Sequence, residues 1–141
     1  MKILIDCDVL IDFVEDRIPF SEAATKVLTW SETHPGQACV AWHTCANLFY
    51  ICGSETQRFL QDLIRFVDIP SVETSDFARA LSFQMADLED AMQAAAALAF
   101  GATFIVTRNV KDYARSPVKA ISPAAFTRKF SPLCQRSAQA C

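Results

Sequence analysis

The six cysteines of this chain, Cys7, Cys39, Cys45, Cys52, Cys134 and Cys141, contain no C-x-x-C pair. That spacing argues against a structural zinc site, and several of the thiols lie in apolar segments where cysteine packs as a small hydrophobe. Reduced, buried thiols are the expectation. No apolar stretch is long enough to span a bilayer, which excludes a membrane-spanning helix. Met1-Lys2 runs straight into an apolar strand, with no separate leader pattern, so a cytoplasmic protein is expected. There is no internal repeat, no low-complexity segment and no linker, which leaves a single folded unit. Positive charge is also missing overall: the net is −3, which argues against broad electrostatic attachment to nucleic acid.

The charge that is present is unevenly distributed. Residues 1–100 hold six Lys/Arg and fifteen Asp/Glu, whereas residues 101–141 hold seven Lys/Arg and one acid, Asp112. An acidic centre beside a basic flank is one reading of that asymmetry, and ordinary surface charge is the other. About half the residues are apolar, enough for a chain of 141 residues to bury a true core.

Ile3-Leu4-Ile5 is a short apolar run of the kind that forms a strand covered on both faces. Asp6 and Asp8 follow it, at the strand end where open α/β sheets place their sites. Further strands are expected at 37–41, 66–69, 102–107 and 118–121. Helices are expected at 9–15 with Asp8 as cap, 20–32, 43–52, 55–65, 76–84 capped by Ser75, 87–100 ended by Gly101, and 123–130 capped by Ser122. Residues 108–113 read as a loop and 131–141 as a loose, flexible tail. Alternating strands and helices predict a three-layer α/β/α fold with a four- to five-stranded, mostly parallel sheet over residues 1–130.

The acids gather at three points. Asp6 and Asp8 end the first strand, Asp87, Glu89 and Asp90 open the alanine-rich helix, and Asn109 and Asp112 follow the fourth strand. Asp87 and Asp90 share a helical face, and Glu89 is expected to turn away towards solvent. Hard divalent cations take oxygen ligands of this kind. Taken singly, each acid also has an ordinary role: Asp8 as a cap, Asp87 and Asp90 at the positive end of a helix dipole, Asp112 in a turn. Asp6 is the exception, because a carboxylate beside a buried strand requires a partner. His43 with Cys45 has no base placed beside the thiol, and Trp30, Trp42, Phe49 and Tyr50 read as core or dimer contacts.

Three segments carry a resemblance: I-D-x-D-V-L-I-D near the start, D-L-E-D-A-M-Q-x-x-A-A, and I-V-T-R-N-V-K-D-Y. Together they resemble a PIN domain of the small bacterial type found among VapC-like toxins of toxin–antitoxin pairs, over Lys2 to about Phe130. The resemblance implies a Mg2+- or Mn2+-dependent ribonuclease that forms a homodimer and is held by a small antitoxin. It places the family's acids on Asp6, Asn47, Asp90 and Asn109, with Asp112 close behind. Asn47 stands where a glutamate is usual, and Asp87 is the expected replacement for the lost charge. The resemblance thus implies Asp6, Asp90, Asn109 and Asp112 as catalytic residues, and Asp6, Asp87, Asp90, Asn109 and Asn47 as metal ligands. Thr107, Arg108, Lys111 and Arg115 are expected to hold RNA phosphates. Two other readings stand beside it. One is a binding module of the same fold without catalysis. The other is a phosphatase of the haloacid dehalogenase kind using Asp6, although Val9-Leu10 follow where that motif has Gly-Thr.

Overall fold

The structure, a computed structural model, describes residues 1–130. The expected tail at 131–141 lies outside the described residues. The five strands are β1 (Ile3–Ile5), β2 (Ala38–Cys39), β3 (Val67–Asp68), β4 (Phe104–Val106) and β5 (Lys119–Ile121). They form one fully parallel sheet in the order β3-β2-β1-β4-β5. The helices are α1 (Cys7–Val14), α2 (Ser21–Thr33), α3 (Trp42–Cys52), α4 (Thr56–Leu63), α5 (Thr74–Ser82), α6 (Leu88–Phe100) and α7 (Pro123–Phe130). This is the three-layer α/β/α architecture expected, with β2 to β5 shorter than the spans expected for them.

The period-two pattern of β1 sorts the two layers. Ile3 and Ile5 face one core with Val9, Leu10, Val27, Leu48 and Phe126, beneath α1, α2, α3 and α7. Leu4 faces the other with Ala94, Ala97 and Ile105, beneath α6. The alanines of α6 let that helix lie close on the sheet, and α5 packs outside it through Ala80, Ala91 and Ala95. Gly101 ends α6 in the left-handed conformation at φ 79°, which costs glycine little and other residues more.

Two caps differ from expectation. Asp6, not Asp8, caps α1: its side chain accepts from the Cys7 N–H at 2.6 Å. The helix begins directly at the strand end, so only the residue at the junction has the extended backbone a cap needs. Helix α5 starts after Glu73, whose backbone N–H donates to Asp76 at 2.8 Å, and Ser75 lies inside the helix. The segment after β4 is also more ordered than a loop, because Val110–Tyr113 form a 3₁₀ turn. Ser122 caps α7 as expected, accepting from Ala125 N–H at 3.1 Å.

Candidate active site

The strand order reverses direction beside β1: β2 lies on one side and β4 on the other. Crevices at such switch points, outside the carboxyl ends of the strands, are where open α/β sheets bind ligands. Asp6 ends β1 and Thr107 ends β4, so both stand at that crevice. Helix α6 brings Asp90 and Gln93 to the same place.

Asp6 is 6% exposed, and four donors hold its carboxylate. Oδ1 accepts from Cys7 N–H at 2.6 Å and from Gln93 Nε2 at 2.5 Å. Oδ2 accepts from Thr107 Oγ1 at 2.8 Å and lies 3.3 Å from the Tyr113 hydroxyl. That hydroxyl is also 3.2 Å from Asp90 Oδ1, so Asp6 and Asp90 share one bridging group. The need for a partner at Asp6 is therefore met by hydrogen bonds, from residues up to 107 positions away.

Asp8 sits beside this knot. Its Oδ2 accepts from Arg108 N–H at 2.9 Å and lies 3.4 Å from Asn109 Nδ2, while its buried Oδ1 has no partner. Burial, and then the Asp6 charge, push the Asp8 carboxyl up to about 6. Asp90 is likewise pushed up to about 6, by burial and then by Asp87 and Asp6. Burial, with Asp6 and Asp90 alongside, drives the Tyr113 hydroxyl upward, so it keeps its proton and acts as donor. The crevice thus carries more negative charge than its own donors offset.

The remaining predicted residues fall into separate groups. Asn109 reaches Asp8, and its backbone N–H donates to Thr107 Oγ1 at 3.0 Å. Asp112 is exposed on the 3₁₀ turn, close enough for its charge to act on Asp90. Asp87 caps α6, its Oδ1 accepting from Asp90 N–H at 3.0 Å. Lys111 and Arg115 are exposed at the rim, and Arg115 donates to Gln84 O at 3.1 Å. Arg108 turns inward. Its guanidinium makes a two-pronged pair with Asp12, at 2.5 and 3.1 Å, and lies 4.2 Å from the centre of the Phe20 ring. Glu89 is exposed, as expected, and its Oε1 accepts from Asn47 Nδ2 at 2.6 Å.

Sequence reasoning missed Gln93, Tyr113, Asp12 and the Asn47–Glu89 pair. Gln93 carried one signal: a polar residue inside an otherwise alanine-lined helix face. Among the described residues, no three His, Cys, Asp or Glu side chains enclose a common point. The acids flank the Tyr113 hydroxyl instead. The donor set nonetheless suits a hard divalent cation: its atoms are oxygens, two carboxyls are raised by burial and then by like charge, and among the described residues the buried Asp8 Oδ1 and Gln93 Oε1 lack partners.

A family model for the PIN domain matches residues 2–111. The chain belongs to the PIN domain family. The phosphatase reading gives way to this membership. No curated protein matches the chain. Several solved structures share its fold. A toxin–antitoxin complex from Klebsiella pneumoniae has 22% identity and a TM-score of 0.63, covering 86% of this chain and 98% of its own. FitAcB from Neisseria gonorrhoeae has 16% identity and a TM-score of 0.62, covering 86% and 98%. FitAB bound to an IR36 DNA fragment has 15% identity and a TM-score of 0.61, covering 86% and 94%. This PIN domain has no helix, among the described residues, long and apolar enough to cross a membrane.

Proposed function

We propose that this PIN domain is a cytoplasmic ribonuclease of the VapC-like toxin type, working with Mg2+ or Mn2+ and restrained by a small antitoxin. The observation that carries the reading is the meeting of Asp6 and Asp90 at the Tyr113 hydroxyl, in the crevice beside β1. Asp6, Asp8, Asp90 and Asn109 are the residues that would hold the ion, with Asp112 at the rim. A bound divalent cation supplies Lewis acidity and a water of lowered pKa, both suited to phosphodiester hydrolysis.

The protein's own part is positioning. Gln93, Thr107 and the α1 N-terminus hold the Asp6 carboxylate in one orientation, and Tyr113 ties it to Asp90. Lys111 and Arg115 face solvent near Asp112 and are the phosphate contacts of this reading. Arg108 is committed to Asp12 and is a structural residue here.

RNA cleavage with Mg2+ or Mn2+, comparing wild type with Asp6→Ala and Asp90→Ala, tests the proposal. Loss of about a hundredfold or more in either variant is expected for groups that hold a catalytic ion. Equal activity in all three would remove the nuclease reading. One observation favours the non-catalytic module: protein donors already fill the acceptor positions of Asp6. Failure of wild type to cleave or to bind Mn2+ would favour that module.

A further inference from the structure

The resemblance places a glutamate at position 47, and this chain has an amide there. Asn47 lies on α3 and Glu89 on α6, yet Asn47 Nδ2 donates to Glu89 Oε1 at 2.6 Å. Asn47 is half-buried and Glu89 exposed, and an exposed pair of this kind contributes little to folding. Its effect is positional: it turns a carboxylate from α6 towards the place where α3 would have presented one. Helices α3 and α6 cover opposite faces of the sheet, so the Asn47–Glu89 bond passes the carboxyl end of β1, where Asp6 stands.

A second observation points to a ligand. Gln93, 1% exposed, directs its amide nitrogen at Asp6, and its Oε1 has no partner among the described residues. Buried acceptor oxygens without donors are uncommon in a finished core, and a cation satisfies them. We propose that Glu89, oriented by the Asn47 amide, supplies the carboxylate missing at position 47 and serves as a ligand for a divalent cation at the Asp6–Asp90 site. The inference rests on reading that crevice as a metal centre.

Calorimetric titration of the full chain with Mn2+ separates the possibilities. Glu89→Gln keeps an oxygen that accepts from Asn47 and removes only the charge. A simple clip between helices would survive that change; a metal ligand would not. Glu89→Gln is expected to weaken Mn2+ binding about tenfold or more, with the melting temperature in EDTA unchanged. The exchanged pair, Asn47→Glu with Glu89→Gln, is expected to regain most of the affinity. Asp6→Asn reports on the crevice itself. If Asp6→Asn abolishes binding while Glu89→Gln binds as tightly as wild type, the inference is overturned and the metal centre stands. If wild type binds no Mn2+ at millimolar concentration, both fall.

Discussion

Asp90 shows what burial, and then neighbouring like charge, do to a single residue. Its carboxyl is raised from 3.8 to about 6 in the folded protein. Between these values the folded chain holds a proton that the unfolded chain has released. The contribution of Asp90 to stability therefore falls as pH rises through that window, and stays low above it. Asp90→Asn removes the charge, so it is expected to raise the melting temperature in EDTA at about pH 7.5 and much less at about pH 4.5. Equal shifts at both pH values would show that the Asp90 carboxyl is not raised in the folded protein. The two cations near each other in sequence behave differently. Arg108→Ala leaves Asp12, 1% exposed, without its partner, and is expected to cost about 3–5 kcal/mol in urea unfolding. Lys111→Ala should leave stability unchanged and weaken RNA binding, with the smaller salt dependence that losing one phosphate contact brings. Nothing in the linear pattern distinguishes Arg108 from Lys111. Asp12 lies 96 positions from Arg108, on a helix face that periodicity marks only as apolar.

At the scale of elements, α6 connects packing with chemistry. Its alanines are small because the helix lies directly on the sheet, and Ala94 and Ala97 are wholly buried there. That closeness lets Gln93 and Asp90 reach Asp6 and Tyr113. Ala94→Leu is expected to cost about 1–3 kcal/mol by overpacking, and to weaken Mn2+ binding by pushing Gln93 away from Asp6. Stability lost with Mn2+ affinity intact would show that the helix spacing does not set the site. The alternation of strands and helices was legible because the apolar runs keep their own periods and several of them end at a Gly or Pro. Cap identities were less so. Asp6 and Asp8 are both reasonable caps, and the choice depends on a backbone angle at the strand junction.

At the scale of the whole molecule, the parallel sheet brings together residues that the sequence keeps apart. Asp6 and Asp90 were identifiable because the resemblance pairs them. Gln93 and Tyr113 were not: the one signal of Gln93, a polar side chain among alanines, names no partner, and a tyrosine after a turn has no signal until the chain closes. The surface carries a separate feature. Trp42 is 74% exposed beside an apolar cleft of about 570 Å3 that Phe77, Val72 and Met92 also line. Exposed apolar area of this kind is common at subunit contacts, and we propose it as the contact of the homodimer that the resemblance implies. Trp42→Glu is then expected to shift the protein from dimer to monomer in light scattering; an unchanged mass would place the contact elsewhere.

A phenol has one hydrogen to give, and Tyr113 stands within reach of two claimants. When the hydroxyl turns to Asp6, Asp90, whose carboxyl is raised to about 6, gains by carrying a proton of its own. The metal-free crevice is in that sense a small acid reservoir. Loading it with a doubly charged ion should expel hydrogen ions into solution, many in mildly acid buffer and few in alkaline. Buffers of differing ionisation heat would count them directly.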